Sequence, residues 1–284
     1  MTVCGCHLTT PFRAGAFSTM YSSFQLALKY FRYLLTSSGA RGHGVHSPFV
    51  YEFIKQVLND DRQFHCFDSI ERLRDELKCD QTEIDVPDFG AGSRLSGGKR
   101  RKISSVASSS LKPKKYAQLL FRLVHFYKPQ TIVELGTSLG VSTAYLSCAK
   151  PDAQIITMEG APEIATIAKK NFEKLRLPNI EVVTGNFDET LESVISQLST
   201  INFAFIDGNH RKEPTLHYFN LLMEKVNSSS ILVFDDIHWS RDMEAAWETI
   251  KRHPLITLTI DLFFIGIVFL RTEQKVAEHF TIRF

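Results

Sequence analysis

Three aspartates stand where the chain leaves short, apolar, β-rich runs. Asp207 closes "NFAFID" (202–207), and Asp235 and Asp236 close "SILVFDD" (230–236). Such runs read as strands buried on both faces of a parallel sheet. In an open α/β sheet, ligands gather beyond the carboxyl ends of the strands. Carboxylates converging there repel one another unless a cation joins them, and an all-oxygen donor set suits Mg²⁺ or another hard divalent ion. Asp207, Asp235 and Asp236 are therefore candidate metal ligands. The alternative is that these acids only cap the helices that follow.

Two glycine-containing stretches compete for the role of a nucleotide-binding turn, "DVPDFGAGSRLSGG" (85–98) and "IVELGTSLGVST" (132–143). Such a turn needs a buried strand, a glycine where the backbone meets the ligand, and a helix N-terminus directly after it. The second stretch has all three: a strand at 131–135, Gly136 and Gly140, then a helix with apolar Val141, Ala144, Tyr145 and Cys148. Glu159 ends the next strand at the spacing expected of a carboxylate that binds ribose. The first stretch fails, because Pro87 removes a ladder donor and "SRLSGGKRRKISS" cannot open a helix with an apolar face.

The spacing E-x-G-x-x-x-G-x-S-T from Glu134 to Thr143 resembles the first motif of class I S-adenosylmethionine (SAM)-dependent methyltransferases, especially catechol-type O-methyltransferases. The likeness covers about residues 105–270. It implies SAM as cofactor, with Glu134, Gly136 and Ser142 around the methionine moiety and Thr137, Ser138 and Gly140 in the same turn. Glu159 would hold the ribose hydroxyls, Asn186 and Phe187 would neighbour adenine, and Asp207 would border the cofactor. "GNF" stands at 185–187 where many members carry "GDA". "IDGNH" and "DDIHW" look closer to macrocin-type sugar O-methyltransferases, which also use a divalent metal. The catechol branch usually has Asn where this chain has Asp236. Methyl transfer from a sulfonium needs an oxyanion-like nucleophile. A metal favours the deprotonated hydroxyl and a nearby base takes its proton. In macrocin-type relatives a His two residues beyond the acidic pair is that base, which singles out His238, with His210 second.

These residues need a scaffold, and the rest of the chain reads as one. After a helix at 112–127, strands at 131–135, 153–158, 180–185, 202–207 and 230–235 alternate with helices at 141–149, 162–175, 188–198 and 213–226. A helix at 240–252 and two strands within 256–270 follow, the last strand antiparallel. This predicts a doubly wound α/β fold with a mostly parallel, seven-stranded, Rossmann-like sheet. Helices at 23–35, 46–58 and 69–78 form an N-terminal cap, with Ser47 and Pro48 starting the second. Residues 81–110 read as a long Gly/Ser/basic loop, a lid in which Arg94 meets an anionic acceptor. Residues 1–19 read as a disordered extension or a misassigned start. The expected division is thus 1–19, a cap with its loop at 20–110, and a SAM-binding domain at 111–284.

The 284 residues are 44% apolar and 23% charged with a net charge of +2, which describes an ordinary globular protein without a global electrostatic signature. Five scattered cysteines fit free thiols in a reducing compartment and a cytoplasmic location. The most apolar run, 255–270, is interrupted by Asp261, so no transmembrane helix is expected. Basic, aromatic helix 23–35 suits a lid or homodimer element, or a peripheral membrane contact. The basic stretch at 94–115 allows an RNA or protein methyltransferase, but no aromatic stripe accompanies it, which disfavours nucleic acid. A SAM-binding protein without catalysis is the reading from outside the enzymes. The leading expectation is a Mg-assisted O-methyltransferase acting on a small hydroxylated molecule: a phenol or catechol, a sugar, or something lipid-like.

Overall fold

A computed structural model of the chain describes residues 20–39, 46–86 and 100–284. "DFGAGSR" with Arg94 and the 1–19 extension lie outside the described residues.

The predicted alternation forms the sheet. Strands β3 (Thr131–Leu135), β4 (Gln154–Glu159), β5 (Ile180–Thr184), β6 (Phe203–Ile206) and β7 (Ile231–Asp235) are mutually parallel. Helices α6 (Val141–Ala149), α7 (Pro162–Leu175), α8 (Phe187–Ser196), α9 (Lys212–Met223) and α10 (Arg241–Lys251) follow them. Strands β8 (Leu258–Asp261) and β9 (Ile265–Phe269) close the edge, β9 running antiparallel to both β7 and β8. The sheet has eight strands rather than seven, in the order β10-β8-β9-β7-β6-β3-β4-β5. The additional edge strand, β10 (Glu278–Thr281), pairs parallel with β8. Its sequence, "EHFT", carries no apolar run; tertiary contacts hold it, with Ser38 bridging Ile282 and the Tyr33 hydroxyl donating to the Ile282 carbonyl at 2.5 Å.

The chain winds outward from β3 through β4 and β5, then returns to lay β6 on the other side of β3. The switch point therefore falls between β3 and β6, whose carboxyl ends carry Gly136 and Asp207. That crevice is where such sheets bind ligands.

The cap comprises α1 (Ser23–Thr36), α2 (Pro48–Phe53) with a π-helical turn at Ile54–Leu58, and α3 (His65–Cys79). Ser47 caps α2 ahead of Pro48. Val50, Phe53, Ile70 and Leu73 of the cap belong to the same apolar cluster as Leu119, Ile132, Phe205 and Ile267. Where a loop was expected, Glu83–Asp85 (β1) and Arg100–Lys102 (β2) pair antiparallel, setting Glu83 against Lys102 and Asp85 against Arg100. Ile103–Ser110 then forms helix α4, burying Ile103, Val106 and Ala107. Its serines satisfy themselves, Ser108 and Ser110 donating at 2.8 Å to the carbonyls of Ser104 and Val106. Helix α5 (Lys114–Tyr127) leads into β3. Along α1, Phe24, Leu28, Phe31 and Leu35 are exposed. Among the described residues, no helix is long and apolar enough to cross a membrane.

Candidate active site

A cleft of about 340 Å³ opens over the carboxyl ends of β3, β4, β6 and β7. The turn after β3 shapes one wall. Gly136 has φ +105°, and a Cβ there would lie 2.1 Å from the Asp207 carbonyl oxygen, so both the conformation and the approach of β6 require glycine. The N–H groups of Gly136 and Thr137 both donate to the Met158 carbonyl at 3.0 Å, drawing the turn across β4. The Thr137 and Thr157 hydroxyls pair at 2.6 Å. At Gly140, φ +85°, a Cβ would meet the Phe172 ring at 2.5 Å. Helix α6 starts there, with Ser142 buried in its first turn.

This turn orients Glu159. The N–H of Ser138 donates to its Oε2 at 2.8 Å and that of Ala161 to its Oε1 at 2.9 Å. The carboxylate lines the cleft with acceptor capacity left over. Burial raises its pKa, against the lowering by these N–H groups. Beneath the turn, Glu134 is fully buried. Thr143 and Thr157 donate to its Oε2 at 2.5 and 2.6 Å, while its Oε1 has no hydrogen-bond partner among the described residues. Burial pushes this carboxyl up to about 7, with the threonine hydroxyls opposing. A buried acceptor left unpaired is costly, so a cationic or N–H donor on a bound ligand would relieve it.

The opposite wall is flat and aromatic. A Cβ at Gly208 would meet the Phe187 ring at 2.7 Å, so the ring lies against bare backbone. Tyr218 meets the ring at a steep interplanar angle, with centroids 6.0 Å apart. Asn186 lines the cleft and caps α8, accepting from the Asp188 N–H at 3.2 Å. Gly136, the anchored Glu159 and the aromatic platform line the cleft and fit an adenosine joined to an amino acid, whereas the expected Glu134, Thr137, Gly140 and Ser142 stand behind the turn and do not line it.

At the far end of the cleft, ligand atoms of Asp207, His210 and Asp235 lie within 4.8 Å of one another. Asp236, φ +52°, lines the cleft but is not a member of that group. A cation of the chain's own already sits among them. The Lys112 ammonium contacts Asp207 Oδ2 at 3.2 Å and also pairs with Asp235 Oδ2. Burial disfavours its charge, but Asp207, Asp235 and Asp236 outweigh that and raise its pKa, so it stays an ammonium. Burial works against ionisation of Asp207, yet Lys112 and His210 prevail and lower its pKa. Asp235 is shifted well upward by burial and by its two acidic neighbours, with Lys112 opposing. Against a divalent ion, the donor types fit but the arrangement does not, because Lys112 holds two of the three groups.

Of the two histidines, the structure brings only His210 to the cleft. Its Nε2 lies 3.5 Å from Asp207 Oδ1. Burial lowers its pKa, but Asp207 and Asp236 outweigh that and raise it. His238 does not line the cleft. Its Nδ1 is 2.9 Å from Glu244 Oε1, its Nε2 2.8 Å from Asp261 Oδ2, and its ring stacks on Phe263. Despite burial, Asp261 and Glu244 lift its pKa to about 9. With both nitrogens engaged and a cationic ring at neutral pH, it has no free lone pair for a proton. The positive φ of Asp236 and the burial of Ile237 turn the chain so that His238 meets the β8–β9 connection.

Sequence reasoning missed Lys112, and with it Arg101 and Ser110, which line the cleft from β2 and α4. The Ser110 and Ser138 hydroxyls meet at 2.7 Å, joining the cover to the glycine turn. A lysine directly before Pro113 was the available signal for Lys112, and it reads equally as part of a solvated basic run.

A family model described as a methyltransferase domain matches residues 133–237, from β3 to just beyond the acidic pair. A catechol O-methyltransferase from Niastella koreensis is 29% identical over 126 residues, covering 43% of this chain and 55% of that protein. The chain spans about half the length of the curated relatives it matches. Among solved structures, an O-methyltransferase from Bacillus cereus in complex with SAH superposes with a TM-score of 0.53 at 18% identity, over 78% of this chain and 97% of that one. The O-methyltransferase TomG from Streptomyces achromogenes, involved in tomaymycin synthesis and solved with SAM, gives 0.53 at 13% identity, over 78% and 95%. At these identities the superpositions speak to the fold.

Proposed function

We propose that this chain, whose residues 133–237 match a methyltransferase-domain model, is a class I SAM-dependent methyltransferase that transfers a methyl group from SAM to a hydroxyl oxygen of a small molecule. The supporting observation is that one cleft joins two unlike ends. One end has Glu159 and Phe187 for an adenosine, and the other has a charged cluster at the carboxyl ends of β6 and β7. Bound SAM supplies an electrophilic methyl on a sulfonium, open to in-line attack.

The chain's residues do the rest. Glu159 accepts from the ribose hydroxyls, Phe187 carries the adenine, and Gly136 receives the methionine end. A phenol ionises near pH 10 and a sugar hydroxyl far higher, so the acceptor must be activated. His210, oriented by Asp207, takes the hydroxyl proton; we give it this role in place of His238, whose nitrogens are occupied. Lys112 and Arg101 favour an acceptor bearing negative charge or developing it on oxygen. The Mg²⁺ assistance implied by the sequence resemblance is not included, since Lys112 occupies the carboxylates.

Calorimetry with SAM, followed by a methyl-transfer screen over catechols, sugars, phenolic lipids and hydroxy acids, tests the reading. SAM binding with turnover on one of these classes is expected. Absence of SAM binding sinks the proposal, and binding without turnover on any hydroxylated acceptor removes its catalytic part.

A further inference from the structure

Three carboxylates and an imidazole border the cleft where the acceptor would be activated, and the chain brings its own positive charge to them from the cap side. Lys112 lies in the short link between α4 and α5. Its side chain is 12% exposed, and its ammonium reaches across to the ends of both β6 and β7. The backbone of Lys112 is fixed as well. Its carbonyl accepts from Arg74 Nη1 at 2.7 Å. Arg74 pairs with Glu71 at 3.0 Å, and Glu71 accepts from the Tyr145 hydroxyl at 2.8 Å. Pro113 has its own φ locked by its ring and restricts Lys112 before it to extended backbone. The lysine is held from α3 and α6 and aimed at the carboxylates.

We propose that Lys112 is the resident cation of this site, taking the place between Asp207 and Asp235 that a divalent ion would need. A divalent ion bound to both carboxylates would lie about 2–2.6 Å from their oxygens, which puts it against the ammonium. The two positive charges exclude each other, so occupancy by one requires departure of the other. A fixed ammonium stabilises negative charge developing on an acceptor oxygen without a metal, as preorganised donors do at other reacting centres. The part in catalysis rests on the methyl-transfer reading above; the competition between lysine and metal does not.

The test separates the two. Mn²⁺ binding to the purified full chain is followed by electron paramagnetic resonance without SAM or acceptor. Wild type is expected to leave the free Mn²⁺ signal unchanged at millimolar metal. Lys112→Ala opens the position and is expected to bind one Mn²⁺, tighter by about 10- to 100-fold, the range over which neighbouring groups tune metal sites. Adding Asp235→Asn should abolish that binding. Lys112→Met, with closer side-chain volume, guards against collapse of the alanine variant, and circular dichroism with thermal melts checks that both stay folded. Wild type binding Mn²⁺ as tightly as the variants overturns the proposal, as does a folded Lys112→Ala that binds none. Methyl transfer by wild type should be indifferent to EDTA, and loss of turnover on chelation also overturns it.

Discussion

Replacing His238 with Gln should cost stability in a pH-dependent way while sparing chemistry. The ring lies between Glu244 and Asp261 with 23% of its side chain exposed, and its pKa rises from 6.5 to about 9. A raised folded-state value means that folding favours the protonated ring. The stabilisation is fully present below the unfolded pKa and is lost as pH rises through the folded one. At 1.36 kcal/mol per pKa unit, a shift from 6.5 contributes about 3 kcal/mol at about pH 6 and close to nothing at about pH 9.5. Glu244 does not blur this window. Its pKa, held down to about 2 by His238, Tyr21 and Lys29 against burial, leaves it ionised throughout. Thermal melts of wild type and His238→Gln at both pH values provide the measurement. At roughly 2 °C per kcal/mol for a chain of this size, the gap in midpoints should be about 6 °C wider at the lower pH. Turnover per folded molecule should change little. A pH-independent gap would refute the ion-pair account. Loss of turnover with unchanged melting would return His238 to the chemistry as a base.

Gly136→Ala forces a Cβ to 2.1 Å from the Asp207 carbonyl; overpacking of this kind costs about 1–3 kcal/mol, and the heat of SAM binding should vanish even where the variant stays folded. Phe187→Ala removes the aromatic platform and should weaken SAM binding about 10-fold, from roughly 1.4 kcal/mol of stacking, while Phe187→Tyr retains it; equal affinity of the alanine variant would dismiss the platform. Arg74→Met takes the donor from the Lys112 carbonyl and should lower kcat with the SAM dissociation constant unchanged. A change confined to SAM affinity would argue that Arg74 positions something other than Lys112.

The central sheet was legible because β3, β4, β6 and β7 are nearly continuous in apolar residues and alternate with helical periods. The glycine turn was legible because strand, Gly136, Gly140 and Glu159 fall in register. What escaped was whatever depends on tertiary contact. Helix α4 reads as a serine-rich loop until Ile103, Val106 and Ala107 find a surface to bury against. Strand β10 has no period of its own and exists by pairing with β8 and by its contacts to the end of α1. Charge pattern misled twice. Lys112 sits in a basic run that looks solvated, and His238 sits beside an acidic pair whose second member turns the chain away from the cleft. Sequence distance from Asp236 could not show that Asp261 and Glu244, 23 and 6 residues further along than His238, would claim both nitrogens.

The N-terminal helices are fastened to the rest of the fold at two charged points, on α10 and on the link before α5, as well as through the shared core. On one side Lys29 of α1 lies 2.9 Å, and the hydroxyl of Tyr21 just before it 2.5 Å, from the carboxylate of Glu244 on α10, which also holds His238. On the other, α3 holds through Arg74 the residue whose ammonium neutralises the acids of the cleft. Removing one member of a buried ion pair is far more costly than the pair is worth, because the remaining charge is stranded. Asp207, whose ionisation Lys112 sustains, would be stranded in this way without the segment that carries the lysine. The cap thus contributes to the electrostatics of the reacting end of the cleft, and the strand ends owe their arrangement of charge partly to helices that precede the first strand of the main sheet.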